Sequence, residues 1–222
     1  MKQLADDVSL LRGWPPNSIN VYLAGDVLID AATRHGERRI LRELAGRTVN
    51  AHALTHAHPD HQGSSHAICE RLRIPLWCGQ GDVPAMEKPG GVAESQPASP
   101  LNFLQRHFWT GPPHPVARAL VEGDEVAGFT VLESPGHSRG HVAYWREADG
   151  VLILGDVLNN MNLLTGRPGL REPPAVFTAD PARNRRSARR LAELRPRLAC
   201  FGHGPPLRDP GVLAEFAARM AD

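Results

Sequence analysis

The segment Thr55-His56-Ala57-His58-Pro59-Asp60-His61 directly follows an apolar run over residues 49–54, and it constrains the fold more than any other stretch of the chain. In extended backbone, side chains two apart project to the same side, so His56 and His58 face together. In a helix they would face roughly opposite sides and could not share a ligand. Pro59 keeps the residue before it extended and favours a turn after it, which re-aims Asp60 and His61. Two ligand pairs can thus serve two adjacent sites. A polar loop whose histidines cap a neighbouring helix is the plain alternative, and five alternating positions of this kind are hard to reach without ligand demand. Any fold for the chain has to deliver a strand end here.

The same theme returns downstream. The chain holds 11 histidines, roughly twice what ordinary composition gives, and several stand just after apolar runs. Ser134-Pro135-Gly136-His137-Ser138-Arg139-Gly140-His141 follows the run at 129–133, and His137 sits where a third ligand is expected. The run 151–154 ends in Gly155-Asp156, placing a carboxylate at the end of a buried strand. His203 lies between Gly202 and Gly204 after the run 198–201. Each of these alone is no more than a turn; their order and shared position at strand ends make coincidence a poor account.

Short apolar runs alternate with helical patterns and no internal repeat is evident, so the chain reads as α/β. Strands are predicted at 18–23, 26–30, 49–55, 75–78, 129–133, 142–145, 151–154 and 198–201, and helices over 35–44, 63–72, 180–194 and 210–220. Asp180 as cap with Pro181 in the first turn gives the third helix good start chemistry. A length of 222 residues, 41% hydrophobic, suits one domain over 1–222. Between 79 and 115 Gly and Pro accumulate without clear periodicity, which reads as a loop insertion, a lid or pocket wall punctuated by Phe103, Phe108 and Trp109.

A net charge of +1 gives no general pull toward nucleic acid or an anionic membrane. The run Arg183, Arg185, Arg186, Arg189 and Arg190 reads as the solvated face of a helix with Leu191 and Leu194 turned inward. Asp6 and Asp7 interrupt any apolar leader core, no run reaches the roughly 18 residues of a membrane span, and Cys69, Cys78 and Cys200 form no C-x-x-C pair. These features favour a cytoplasmic protein with reduced, buried thiols and a small-molecule substrate.

The series H-x-H-x-D-H, Gly-His, Gly-Asp and Gly-His, spanning His56 to His203, resembles the signature of the metallo-β-lactamase fold superfamily. The resemblance implies a four-layer αββα sandwich with two metals at one edge between its sheets. It assigns His56, His58 and His137 to one metal, Asp60, His61 and His203 to the other, and Asp156 to a bridge; Asp60 is also expected to act in catalysis. Asp30, ending the early strand, is expected to support the site from behind the ligands. Five imidazoles and two carboxylates without a thiolate suit two divalent ions, zinc by default, with iron or manganese also admitted. Two such ions about 3.5–4 Å apart can share a hydroxide, lower its pKa toward about 7 and clamp a substrate oxygen. The implied activity is a dinuclear metal-dependent hydrolase using a metal-bound hydroxide on an ester, thioester, lactone, amide or phosphodiester.

Departures from the family pattern leave the subfamily unassigned. Asp156 stands where β-lactam-hydrolysing members carry cysteine or serine. Residues 157–161 lack the Gly-Arg segment typical of glyoxalase II and of persulfide dioxygenases, and only a short tail follows His203. Asn159 occupies the position of a tyrosine common in quorum-quenching lactonases. A mononuclear-iron redox enzyme of the persulfide-dioxygenase kind is the alternative, and a non-catalytic metal scaffold fits poorly because every ligand position is filled. His141 is read as a supporting residue, and His52 and His66 as structural histidines. Arg139, Phe108, Trp109 and Phe177 are candidate substrate contacts, each balanced by a loop-stabilising or core-packing role.

Overall fold

Strands buried on both faces determine the architecture, because each must find apolar cover on two sides. The computed structural model describes residues 1–220, so the last two residues of the expected 1–222 domain lie outside the described residues. One sheet runs, in spatial as in chain order, β1 (Lys2–Ala5), β2 (Val8–Leu10), β3 (Tyr22–Ala24), β4 (Val27–Ile29), β5 (Ala51–Ala53), β6 (Leu76–Gly79) and β7 (Val116–Leu120). Its first four strands are antiparallel neighbours and the rest are parallel. Parallel neighbours require crossovers. These are α1 (Glu37–Leu44), then α2 (Pro59–Gln62) with α3 (Ser65–Leu72), then α4 (Val83–Glu87) with α5 (Pro100–Trp109).

The second sheet contains β8 (Glu125–Val126), β9 (Phe129–Glu133), β10 (Val142–Arg146) and β11 (Val151–Gly155), with β12 (Asn159–Met161) and β13 (Pro168–Arg171) forming a separate hairpin before α6 (Pro181–Glu193). β14 (Leu198–Phe201) returns parallel to β11, giving the order β14-β11-β10-β9-β8, and α7 (Pro210–Ala218) follows.

Alternation along the strands sorts the core into three layers. Tyr22, Val27, Ile29, Val131, Val142, Tyr144, Ile153 and Cys200 pack between the two sheets. Leu23, Leu28 and Leu76 face the other way, onto Ile40, Leu44 and Ile68 of α1 and α3. Ala143, Leu152, Leu154 and Phe201 meet Ala188, Leu191, Leu213 and Ala217 of α6 and α7. The result is the expected αββα order. On α6 the buried positions are Asn184, Ser187, Ala188, Leu191 and Ala192, while Arg185 pairs with Glu172 at 2.8 Å and Arg190 pairs with Glu122. No helix among the described residues is long and apolar enough to cross a membrane.

One edge of the sandwich is stitched shut. The buried Tyr144 hydroxyl donates to Leu54 O at 2.6 Å and the Tyr22 hydroxyl to Phe201 O at 2.7 Å, each reaching from one sheet to the other. Val142 N–H donates to Thr55 O, and Asn20 N–H to Gly202 O. Buried bonds of this kind contribute about 1 kcal/mol apiece, and they hold the ends of β5, β10 and β14 together.

Segment 79–115 corrects the expectation of an irregular loop: it holds 3₁₀ turns at Gln80–Asp82 and Gly91–Glu94 besides α4 and α5. Ser99 Oγ caps α5 by accepting from Asn102 N–H, with Pro100 in the first turn. Strands β1, β2, β7, β8, β12 and β13 were not among those predicted from the sequence.

Candidate metal centre

The ligand candidates gather at the stitched edge, each from a loop that leaves a strand. After β5 the chain stays extended to His58 (φ −76°, ψ 156°), and Pro59 then opens the single-turn α2 that carries Asp60 and His61. His137 lies in the β9–β10 connection, Asp156 directly after β11, and His203 directly after β14. All seven are buried. Donor atoms of His56, His58 and His137 lie within 4.8 Å of one another, as do those of Asp60, His61 and His203, and those of His56, His61 and Asp156. Asp156 stands between the two sets: its Oδ1 is 3.6 Å from His61 Nε2, and its Oδ2 is 3.6 Å from His137 Nε2 and 3.1 Å from His203 Nε2.

Two glycines make room for this carboxylate. Gly155 turns the chain at φ +53°, in the left-handed region, and a Cβ there would come 2.7 Å from His141 Nε2. A Cβ at Gly202 would lie 1.9 Å from Asp156 Oδ1, so only glycine fits beneath it.

Behind the cluster, each imidazole is held by its other nitrogen. His61 Nδ1 meets Asp30 Oδ2 at 2.9 Å, His137 Nδ1 meets Thr178 Oγ1 at 3.2 Å, and His58 Nε2 meets Ser95 O at 3.2 Å. His203 Nδ1 bonds Ser18 O, and His56 Nδ1 lies 3.1 Å from Thr55 Oγ1. Because the Thr55 hydroxyl itself donates to Asp30 Oδ2 at 2.8 Å, it accepts from His56. Such bonds fix which nitrogen faces inward, and in the neutral ring they leave it with its lone pair there.

Burial, reinforced by neighbouring imidazoles, pushes His56 and His137 well below the usual histidine range, so both are neutral. Burial opposes the charged forms of His61 and His203 too, but Asp156 with Asp30 and Asp60 outweighs it for His61, and Asp156 and Asp60 raise His203 to about 10. Against its own burial, Asp60 is drawn down to about 2 by His61 and His203.

Four buried polar atoms in the cluster have no hydrogen-bond partner: Nε2 of His56, His61 and His137, and Oδ1 of Asp156. An orphaned buried polar atom costs about 1–3 kcal/mol. Four converging lone-pair donors are a poor hydrophobic core and a good cation cradle, so the residues present fit a pair of divalent metals. The all nitrogen and oxygen donor set suits zinc, iron or manganese.

The other sequence candidates are placed as follows. His141 does not converge with the ligands; it bonds Ser134 Oγ at 2.9 Å and receives Asp156 N–H at 3.2 Å, positioning the carboxylate. His52 bonds Leu28 O and Ser65 Oγ, and burial lowers it to about 4. His66 meets His114 away from the cluster. Phe177 borders the cleft over the cluster. Arg139 does not: it lines surface depressions beside Gly81 and His141. Phe108 and Trp109 end α5 at 48% and 37% exposure and are not among the cleft residues; their carbonyls accept from His35 Nε2 and Arg34 N–H.

Sequence reading missed Asp82. This carboxylate, 1% exposed, accepts from Ala57 N–H at 3.0 Å, Ser138 Oγ at 2.7 Å and Gly140 N–H at 2.8 Å. It thereby ties the His56–His58 loop to the His137 loop. A partial signal was available, since Gly81-Asp82 follows the apolar run 75–78 after Gly79-Gln80, as Gly155-Asp156 follows 151–154 directly. Replacing Asp82 by Ala leaves two buried backbone N–H groups unpaired, at about 1–3 kcal/mol each. The expected result is a Tm lower by roughly 5–20 °C and metal affinity weaker by about 10–100-fold, read by calorimetry and chelator competition. Parental values for both would remove Asp82 from this role.

The metallo-beta-lactamase superfamily model matches residues 14–203. A probable metallo-hydrolase of Bacillus subtilis (strain 168), YflN, is 27% identical over 89% of this chain and 78% of its own length. A hydroxyacylglutathione hydrolase of Xanthomonas campestris pv. campestris (strain B100) is 33% identical over 88% of this chain, which spans 64% of that protein. Among solved structures, the metallo-beta-lactamase family protein TTHA1429 from Thermus thermophilus superimposes with a TM-score of 0.72 at 30% identity, covering 97% of this chain and 80% of that one.

Proposed function

Since the chain belongs to the metallo-beta-lactamase superfamily, we propose that it is a dinuclear metal-dependent hydrolase of an ester, thioester, lactone or phosphodiester. The observation that carries this reading is the pair of ligand sets with Asp156 between them and four orphaned donor atoms converging on the space they share. A mononuclear site needs only one such set. His56, His58 and His137 would hold one ion, Asp60, His61 and His203 the other, with Asp156 common to both. When bound, such a pair supplies Lewis acidity toward a carbonyl or phosphoryl oxygen and lowers the pKa of water toward about 7.

The chain's own residues supply the remainder. Asp30, Thr55, Thr178 and Ser95 fix the tautomers of the imidazoles, so no ligand has to reorganise. Asp60 Oδ2, 3.2 Å from His203 Nε2, lies among the residues that border the cleft. From there it can take the proton released as a water is turned into a nucleophile. Its depressed pKa keeps it ionised at neutral pH and makes it a weak base, so it accepts that proton only in passing.

Protein purified under metal-replete conditions is expected to carry two ions per chain. It should hydrolyse at least one member of a chromogenic ester, thioester, lactone and phosphodiester panel, and lose that turnover reversibly on chelation. At most one ion per chain would overturn the dinuclear assignment. Two ions without turnover on any of the four bond classes would overturn the hydrolase.

A further inference from the structure

Beyond the ligands themselves, the cleft over the metal cluster is bordered by Gln96, Gln105, Asn159, Leu163, Pro174 and Phe177. Three of these are carboxamides and three are apolar; no lysine or arginine is among the lining residues. Gln96 Nε2 donates to Gln105 Oε1 at 3.0 Å, which orients both amides. Gln96 Oε1 and Asn159 Oδ1 are buried without a partner. Orphan carbonyl oxygens receive N–H or O–H groups and repel anions, and a carboxylate drawn out of water here would meet no lysine or arginine on the walls.

We propose that the part of the substrate lying beyond the scissile bond carries no negative charge, with a hydrogen-bond donor near the amides and an apolar group against Leu163, Pro174 and Phe177. This rests on the hydrolase reading and narrows its substrate class. The cleft leaves about 20 Å³ for water to occupy, room for one or two molecules, so an apolar chain of any length must run outward. On α5, Leu101, Gln105 and Phe108 share one face because they are four and three residues apart, and Gln105 borders the cleft. Leu101 and Phe108 are 51% and 48% exposed, so apolar surface flanks Gln105 on its helix face.

The test uses neutral alkyl hydroxamates, whose head groups bind metal pairs whether or not turnover occurs. Titrated calorimetrically into the two-zinc protein, octanohydroxamate should bind at least about tenfold more tightly than acetohydroxamate, a small part of what full burial of six methylenes would give. A chain of the same length ending in a carboxylate should lose that gain. Phe177→Ala and Leu163→Ala should shrink the chain-length effect while leaving acetohydroxamate affinity within twofold of parent. The partly exposed positions of these side chains make both variants tolerable to the fold. Equal affinity across chain lengths, tighter binding of the carboxylate-ended chain, or failure of every hydroxamate to bind would overturn the proposal. So would faster turnover of a glutathione thioester than of an uncharged alkyl thioester. Absence of any hydrolysis, with the chain-length effect intact, would instead count against the hydrolase reading alone.

Discussion

Asp156→Ala is expected to weaken both metal sites at once and to reduce turnover by on the order of 10³-fold or more, about 4 kcal/mol of barrier. The carboxylate lies within 3.6 Å of His61 and His137, which belong to opposite sets, and within 3.1 Å of His203. Removing it therefore takes a ligand from each ion and releases the spacing between them. His203→Ala offers the contrast, because it strips only the set formed with Asp60 and His61 and leaves His56, His58 and His137 intact. Parallel titrations with a chromophoric chelator should show one tight ion retained by His203→Ala and none by Asp156→Ala. Circular dichroism should show both variants folded, since neither side chain belongs to the three apolar cores. An Asp156→Ala protein holding two ions as tightly as the parent would dismiss the shared carboxylate and the dinuclear mechanism with it.

The candidate ligand positions could be proposed from the sequence because each follows a strand whose apolar run is itself legible. A β-sandwich delivers several strand ends to one edge, so histidines and aspartates placed after such runs meet even though more than a hundred residues separate His56 from His203. What failed was the reading of elements whose apolar residues do not face a core. Of the residues in α5 only Asn102 is buried, while Leu101, Phe103, Leu104 and Phe108 face outward. Apolar periodicity reports burial, and here there was little to report; the Ser99-Pro100 start was the local cue to this helix, and the loop reading of 79–115 passed over it. Edge strand β7 alternates exposed and half-buried residues, and β12 buries two asparagines, so neither shows the continuous apolar run by which the central strands were found. Phe108 and Trp109 were read as pocket walls from composition. Their placement follows from the helix phase, which composition does not carry.

Asp30 shows how far from the metals the chemistry of the site extends. It is 1% exposed and accepts from Thr55 N–H at 2.8 Å, the Thr55 hydroxyl at 2.8 Å and His61 Nδ1–H at 2.9 Å. Through Thr55 it also governs His56, so one carboxylate sets the tautomer of a histidine in each metal set. Asp30→Asn keeps the shape but can present only one oxygen. If that oxygen keeps the Thr55 backbone N–H, the amide NH₂ faces His61 Nδ1. The imidazole must then move its proton to Nε2, the nitrogen that faces Asp156 and the metal space. Expected is a loss of about 10–100-fold in affinity for the ion held by Asp60, His61 and His203, with a smaller loss for the other. Asp30→Ala should do worse, leaving three buried donors unpaired and lowering stability by about 3–5 kcal/mol, as breaking a buried ion pair does. Long-range ¹H–¹⁵N spectra of the metal-free proteins give a readout independent of activity: His61 Nδ1 should carry a proton in the parent and a lone pair in Asp30→Asn, where the amide NH₂ faces it. An Asp30→Asn protein that loads both ions with parental affinity, and whose His61 ring keeps the parental ¹⁵N pattern, would show that the imidazole is oriented by packing rather than by this carboxylate.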